Sequence, residues 1–453
     1  MRKRSCLTTA LAGTAVALTA APAAALTPVA PATASASASA FAPVSGFAGR
    51  DIGRQTLPAG DGWGSSSTGT TGGAAATKEN VFVVRDRNAL ARAVAGNTPK
   101  IVYVKGAFDA NVDDTGKPLT CADYAVDGYS LDAFLKAYDP ATWGRADPSG
   151  PLEDARAASQ DRQDARVKIN VGSNTTIVGL GRATIKGANL MLKGVDNVII
   201  RNLDLRDAHD CFPAWDPTDG ATGAWNSEYD AVTLSGATHV WLDHNTLSDA
   251  GNPDSALPKY FGEPYQVHDG LFDVINASDF VTASWNRFRD HDKTSLIGNS
   301  DSKTTDAGHL RVTFHHNEFR NLGQRLPRVR YGQVDVYNNH YAQTTADGYS
   351  YSLGVGVKSA IVAEHNAFTL PATIKPAQVI KYWKGTAIRT GGNLVNGKPV
   401  DLLAAHNEAY DPDLSGDVGW TPSLRTTVHR PESVPRLVGA FAGAGRLGWH
   451  SFR

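Results

Sequence analysis

Six short apolar runs between residues 198 and 368 each close on an Asn beside an apolar or aromatic side chain. The asparagines are Asn202, Asn245, Asn286, Asn317, Asn339 and Asn366, at steps of 43, 41, 31, 22 and 27 residues. A base step near 22 with insertions fits that series, and a repeat of this size marks stacked supersecondary units. No helical pattern of about 10–15 residues separates the runs, which disfavours a TIM barrel or a doubly wound sheet. An antiparallel sandwich stays open on strand spacing alone, but a one-dimensional stack of coils fits the repeat better. In such a stack each Asn would turn the chain and hydrogen-bond to its neighbours above and below.

The chain of 453 residues is 42% hydrophobic, enough for a substantial core. Its 44 basic and 45 acidic side chains leave no overall field to attract nucleic acid or an anionic membrane. Any grip on a polyanion must be local. Residues 1–25 carry Arg2, Lys3 and Arg4, then an apolar run and small residues at Ala23, Ala24 and Ala25. That is the pattern of a secretory signal, and no other stretch is apolar for long enough to span a bilayer. Export permits a disulfide between Cys121 and Cys211, the two cysteines outside the signal; sequence leaves their distance open.

Residues 26–45, rich in Ala, Ser and Pro, read as a flexible leader. Residues 46–453 read as one domain. A strand at 81–84, a short helix capped by Asp86 or Asn88 and ended by Gly96, and a strand at 101–104 open it. The helix could cover one end of the stack or form a βαβ crossover. Residues 107–166 are an irregular, polar insertion, with helices expected near 131–135 and 152–163. After Phe368 further strands are expected at 380–383 and 393–395. The tail from Pro412 would run back along the stack or cover its end, anchored by Trp420 and Trp449.

Chemistry concentrates between His268 and Arg330. Asp269 and Asp273 lie four apart with Gly270 between them, and Asp230 lies upstream at a strand edge. Coils that stack can bring the three together, and hard oxygen donors suit calcium. Asp210, Asp216, Asp219 and Glu228 could form a second calcium site, although an isolated Asp is more often a turn residue. Lys293, Arg325, Arg328 and Arg330 are candidates to hold an anion, since a planar guanidinium can clamp a carboxylate. A divalent ion would reconcile the acids with an acidic ligand by bridging them. Gly-x-Ser-x-Gly, His-Glu-x-x-His and Walker motifs are absent. His244 with His268 makes a poor zinc pair beside so many acids.

These residues fall in ordered motifs: 240–244 (Val-Trp-Leu-Asp-His), His268-Asp269-Gly270 with Asp273, His291-Asp292-Lys293, Leu296-Ile297-Gly298 with Ser300-Asp301, and 325–330 (Arg-Leu-Pro-Arg-Val-Arg). With the stretch 210–220 they resemble the family 1 polysaccharide lyases, and within them the bacterial pectate lyases of Bacillus type. The likeness runs from about Val81 to Phe368. It implies an all-β, right-handed parallel β-helix of three-strand coils, secreted and monomeric. The implied reaction is calcium-dependent β-elimination on de-esterified homogalacturonan, leaving 4,5-unsaturated ends. On this resemblance Asp230, Asp269 and Asp273 match calcium ligands, Arg325 the general base, and Lys293 and Arg330 the binders of substrate carboxylates. One departure is Asp335, where the family often has His, at a position expected to affect strand packing or a groove edge. A pectin lyase acting on methylated polymer, a polygalacturonase-like hydrolase and a non-catalytic polysaccharide-binding β-helix are the rival readings.

Overall fold

Every apolar run pairs in parallel with the run of the next coil. Val198, Val240, Val281, Val312, Val334, Ile361 and Ile388 stand in one register column, so each coil repeats the backbone path of the last. The computed structural model that describes residues 51–447 is therefore a right-handed parallel β-helix. Among the described residues the antiparallel pairs are three short ladders and two isolated bridges, which removes the sandwich. One eight-stranded parallel sheet runs from Lys168–Asn170 through Asn189–Lys193, Val232–Ser235, Phe272–Ile275, Leu296–Ile297, Arg328–Val329 and Leu353–Gly356 to Ile380–Trp383. The remaining coil strands form a larger parallel sheet around the other sides. Strands buried on their inner face by this stacking need continuous apolar residues there, and the column above supplies them.

The asparagines form an unbroken hydrogen-bonded ladder, with two corrections to the sequence reading. Asn286 donates its backbone N–H (2.9 Å) and its side-chain amide (3.0 Å) to the Oδ1 of Asn317. That amide also donates to the carbonyl of Leu242 at 2.9 Å. The same pattern links Asn245 to Asn286, Asn317 to Asn339, Asn339 to Asn366 and Asn366 to Asn393. Asn202 is not a rung: Leu203 occupies that level, donating its N–H to Asn245 Oδ1 at 3.0 Å. Asn393 is a rung beyond the expected set. The chain turns not at the ladder residue but one before it, where His244, Trp285, His316, Asn338 and His365 all take φ between 52° and 56°. Such backbone costs an L-residue about 1–2 kcal/mol, and the fully buried amides behind it hold it in place. Two residues after four rungs, Phe288, Phe319, Tyr341 and Phe368 stack inside the helix with centroids 5.1, 4.9 and 4.4 Å apart.

The opening strands Val81–Val84 and Lys100–Asp109 pair in parallel around the helix Arg87–Ala93. Asp86 caps that helix, accepting from the Ala89 N–H at 2.7 Å. Its Ala89, Leu90 and Ala93 face the core and close that end of the stack. The insertion contains the expected helices at Leu131–Ala137 and Pro151–Val167, with Cys121–Tyr124 and Pro140–Trp143 besides. Phe134 and Tyr138 pack it against Trp215 and Trp225, and a Cys121–Cys211 disulfide ties it to the coils. Strands follow at Ile380–Trp383 and Leu394–Val395. The tail runs back along the stack. Trp420 donates to the carbonyl of Ala360 at 2.9 Å, and Gly445 reaches Asn202 at 2.7 Å. Asp335 meets this tail, paired with Arg425, so it lies on strand packing and not on the groove edge. The expected signal, the leader of residues 26–45 and Trp449 lie outside the described residues.

The ladder makes a quantitative expectation. Asn317→Ala removes the acceptor of the Asn286 backbone N–H and of one of its amide hydrogens, and the amide donor to the carbonyl of Ala283. Each orphaned buried group costs about 1–3 kcal/mol, so denaturant unfolding should show a loss of at least about 3 kcal/mol. A loss below about 1 kcal/mol would mean that strand pairing holds the coils without the ladder.

Candidate active site

The eight-stranded sheet places its outward side chains in a column. Thr233, Asp273, Leu296, Arg328, Gly354 and Lys381 follow one another in register. Asp230 enters one coil before Asp273, just ahead of Val232–Ser235, and Asp269 stands just ahead of Phe272–Ile275. Carboxylate oxygens of Asp230, Asp269 and Asp273 lie within 4.8 Å of one another. Asp230 accepts from the Gly270 N–H at 2.8 Å and from the Thr233 hydroxyl at 2.6 Å; Asp273 accepts from the Leu296 N–H at 2.9 Å. Two neutral donors are weak compensation for buried charge. Burial first, and the neighbouring carboxylates second, push Asp230 up to about 7 and hold Asp273 well above the usual carboxylate range.

Gly270 explains how the acids can stand so close around a free space. A Cβ there would lie 2.6 Å from Asp273 Oδ1 and 2.7 Å from Asp230 Oδ1, so any side chain would fill the gap between them. Oxygen donors only, repelling one another around a gap, fit a hard divalent cation.

Cations flank the acids. Lys293 ends the strand Arg287–Lys293, is nearly buried, and sets its Nζ 3.7 Å from Asp269 Oδ1. It pairs in register with Gln324, so Arg325 begins one residue beyond it on the next coil. Arg325 is half-buried with φ 59°, and its Nε has no hydrogen-bond partner among the described residues. Its charge bears on both Asp230 and Asp273. Arg328 lies over the Trp383 ring at 4.0 Å, and burial, then Arg330, lowers it to about 10. Arg330 is already engaged: its Nε meets Asp301 at 2.7 Å and its Nη1 meets the carbonyl of Gly298 at 3.1 Å. Asp301 also binds Lys384 at 2.8 Å. That anchoring role went unread in the sequence, although Asp301 stands in a motif.

The second acidic group does not gather into a cluster among the described residues. Asp210 is fully buried and accepts from the N–H groups of Phe212 and Glu228 and from Gln160. Asp216 accepts from the Thr218 and Asp219 N–H groups in a turn, and Glu228 pairs with Lys168 at 3.3 Å. These acids satisfy nearby donors: Asp210 and Glu228 lie in loops, and Asp216 ends the short strand Ala214–Asp216, away from the eight-stranded sheet. No described helix is long and apolar enough to cross a membrane.

The β-helix, with its acid trio and flanking cations, is the arrangement expected of a polysaccharide lyase, and related proteins bear out that class. A family model described as pectate lyase matches residues 147–416. A pectate lyase of Bacillus subtilis (strain 168) is 48% identical over 404 residues, covering 88% of this chain and 94% of that protein. A solved pectate lyase bound to hexasaccharide superposes with a TM-score of 0.84 at 48% identity, over 87% of this chain and 99% of that one. The pectate lyase from Acidovorax avenae subsp citrulli gives 0.81 at 34% identity, over 91% and 98%. The chain belongs to the pectate lyase family.

Two outcomes are expected. If these acids hold calcium, Gly270→Ala should weaken its binding by at least about 10-fold in calorimetric titration, as disturbed supports of a metal site do, while circular dichroism stays unchanged. The second concerns pH. Asp230 and Asp273 have folded pKa values above their unfolded values, so the metal-free folded state binds extra protons between about 4 and about 7. Stability of the metal-free protein from these groups therefore falls as pH rises through that window. Calcium should remove the penalty, so the gap in thermal midpoint between calcium-loaded and calcium-free protein should widen from about pH 4 to 7. A constant gap would place calcium elsewhere.

Proposed function

We propose that this chain is a secreted, monomeric, calcium-dependent pectate lyase with one catalytic domain over residues 46–453. It cleaves de-esterified homogalacturonan by β-elimination and leaves 4,5-unsaturated ends. The observation that carries this reading is the acid trio of Asp230, Asp269 and Asp273 facing Lys293 and Arg325. The names and the hexasaccharide of the related proteins support the substrate class. Secretion rests on the charged, then apolar, pattern of residues 1–25.

The polymer carries a carboxylate at C6 of each residue, and the proton to be removed, on C5, is α to it. Asp230, Asp269 and Asp273 would hold a calcium ion, which would supply positive charge to attract that carboxylate and stabilise the charge developing on it. Lys293 stands beside Asp269, where it can hold the same carboxylate and oppose the charge that grows as C5 loses its proton. Arg330, its guanidinium oriented by Asp301 and Gly298, and Arg328, flat on Trp383, would hold carboxylates along the chain. Arg325, in its neutral form once substrate and cation are in place, takes the C5 proton as general base; its unpartnered Nε and the family resemblance support that role. The electron pair becomes the C4–C5 double bond, the C4–oxygen bond breaks, and water protonates the departing oxygen.

A hydrolase reading is weaker. Glycosidase carboxyl pairs stand about 5–9.5 Å apart to flank a bond or admit a water. Three acids grouped around one gap, with Lys293 and Arg325 beside them, exceed what such a pair needs.

On polygalacturonate the ultraviolet absorbance of the conjugated product should rise, stop on chelation, and fall as methyl esterification increases. Higher rates on methylated pectin would reassign the enzyme. Arg325→Lys should lose at least about 100-fold in turnover, as removal of a general base does, with affinity changed far less. Were affinity alone to fall, Arg325 would be a clamp and Lys293 the next candidate base.

A further inference from the structure

Beneath the acid trio lies a buried chain of imidazoles and carboxylates. His268 is 1% exposed; its Nε2 meets Asp207 at 2.9 Å and its Nδ1 meets Asp254 at 2.8 Å. Asp249 stands next, 3.8 Å from the same Nδ1. Its other oxygen is 2.7 Å from Nδ1 of His291. Both nitrogens of each ring face acceptors, so each ring donates from both: His268 stands between carboxylates, and His291 stands between the Asp249 carboxylate and backbone carbonyls.

The far side of His291 is the telling one. Its Nε2–H points at two backbone carbonyls at once, that of Asp269 at 2.8 Å and that of Lys293 at 2.9 Å. Asp269 precedes the strand Phe272–Ile275, and Lys293 ends a strand of the larger sheet. Their side chains converge, Nζ to Oδ1, at 3.7 Å. A histidine that only filled the core would need one acceptor. This one ties together the two backbone points from which a proposed cation ligand and a proposed carboxylate binder emerge.

We propose that His291 is a positioning residue: through its Nε2–H it sets the spacing between Asp269 and Lys293, and Asp249, backed by His268, Asp207 and Asp254, fixes the ring that does so. The inference rests on the functional reading of Asp269 and Lys293 above. Asp249 fixes ring rotation, as partners of metal-ligating and catalytic histidines do. A charged donor shared by two carbonyls also makes a stronger bond than a neutral one. A loosened Asp269 would bind its cation less well, and a displaced Lys293 would hold the substrate carboxylate less well.

Two substitutions separate the two edges of the ring. In His291→Gln the side-chain amide reaches the place of Nε2 and can still donate to the carbonyls. In His291→Asn the amide reaches only the place of Nδ1, keeping Asp249 and losing the carbonyls. Calcium titration by calorimetry on the full chain, without substrate, is the primary readout, with urea midpoints as a control on folding. The expected result is calcium affinity at least about 10-fold weaker in His291→Asn and within about 3-fold of the parent in His291→Gln. KM on polygalacturonate should rise more in His291→Asn than kcat falls. Equal calcium affinity in both variants and the parent overturns the positioning role, and so do equal losses in both variants. Should His291→Asn fail to fold, Asp249→Asn takes its place, removing the charge at constant shape; unchanged calcium affinity there overturns the proposal. Asp269→Ala distinguishes the two levels. If it abolishes calcium binding while His291→Asn does not weaken it, the positioning role alone fails. If neither changes calcium binding, the functional reading fails and this inference with it.

Discussion

The buried side-chain amide of asparagine, bonded to the coils on either side, is the interaction on which the rest of this structure depends. Strand pairing alone would allow one coil to slip against the next, and a slip of one residue sends every side chain to the other face. Each rung from Asn245 to Asn393 fixes that register at the corner where the chain turns. The stack of Phe288, Phe319, Tyr341 and Phe368 reads out the same register inside the helix. On the outer face, Thr233 and Asp273 stand level because their coils cannot slide. The site is thus a product of register: Asp230 and Asp273 are 5% exposed neighbours although 43 residues separate them in the chain.

Holding three carboxylates together has an electrostatic consequence. Asp230 and Asp273 receive hydrogen bonds from few donors, and burial with mutual repulsion raises both. Lys293 and Arg325 offset part of that charge without filling the gap that Gly270 leaves. The metal-free fold therefore carries an unfavourable charge arrangement that a divalent cation would relieve, and the proposed function has an acidic polymer held there through that cation instead of being repelled. Strain of this kind is tolerated because the scaffold around it, from the ladder to the His268 and His291 network, is buried and cross-linked by hydrogen bonds.

The repeat and the acid trio were legible in the sequence for different reasons. The ladder asparagines sit at fixed offsets from apolar runs, so a period survives the insertions. The turning residue was not legible, because His244, Trp285, His316, Asn338 and His365 share a backbone angle and no side-chain chemistry. Asn202 misled for the same reason: it is an asparagine at the turning position, one residue before the rung. Asp210, Asp216, Asp219 and Glu228 looked like a ligand set by composition, but loop acids bond the nearest N–H groups. The network of Asp207, Asp249, Asp254, His268 and His291 draws on five separated positions that only coil stacking unites. Asp335 showed its partner, Arg425, only when the tail was seen to run back over the stack.

The central claim is that acids set in register hold a cation that bridges to an acid on the polymer. Its most direct test is calcium titration into an Arg325→Ala protein, which should not consume substrate, with and without a de-esterified oligogalacturonate. Bridging requires the two ligands to strengthen one another's binding by the same factor. Calcium affinity should rise by at least about 5-fold with the free-acid oligomer, a coupling of about 1 kcal/mol, and should not change with its methyl ester. Equal calcium affinity with the free acid, the ester and no oligomer would contradict the account.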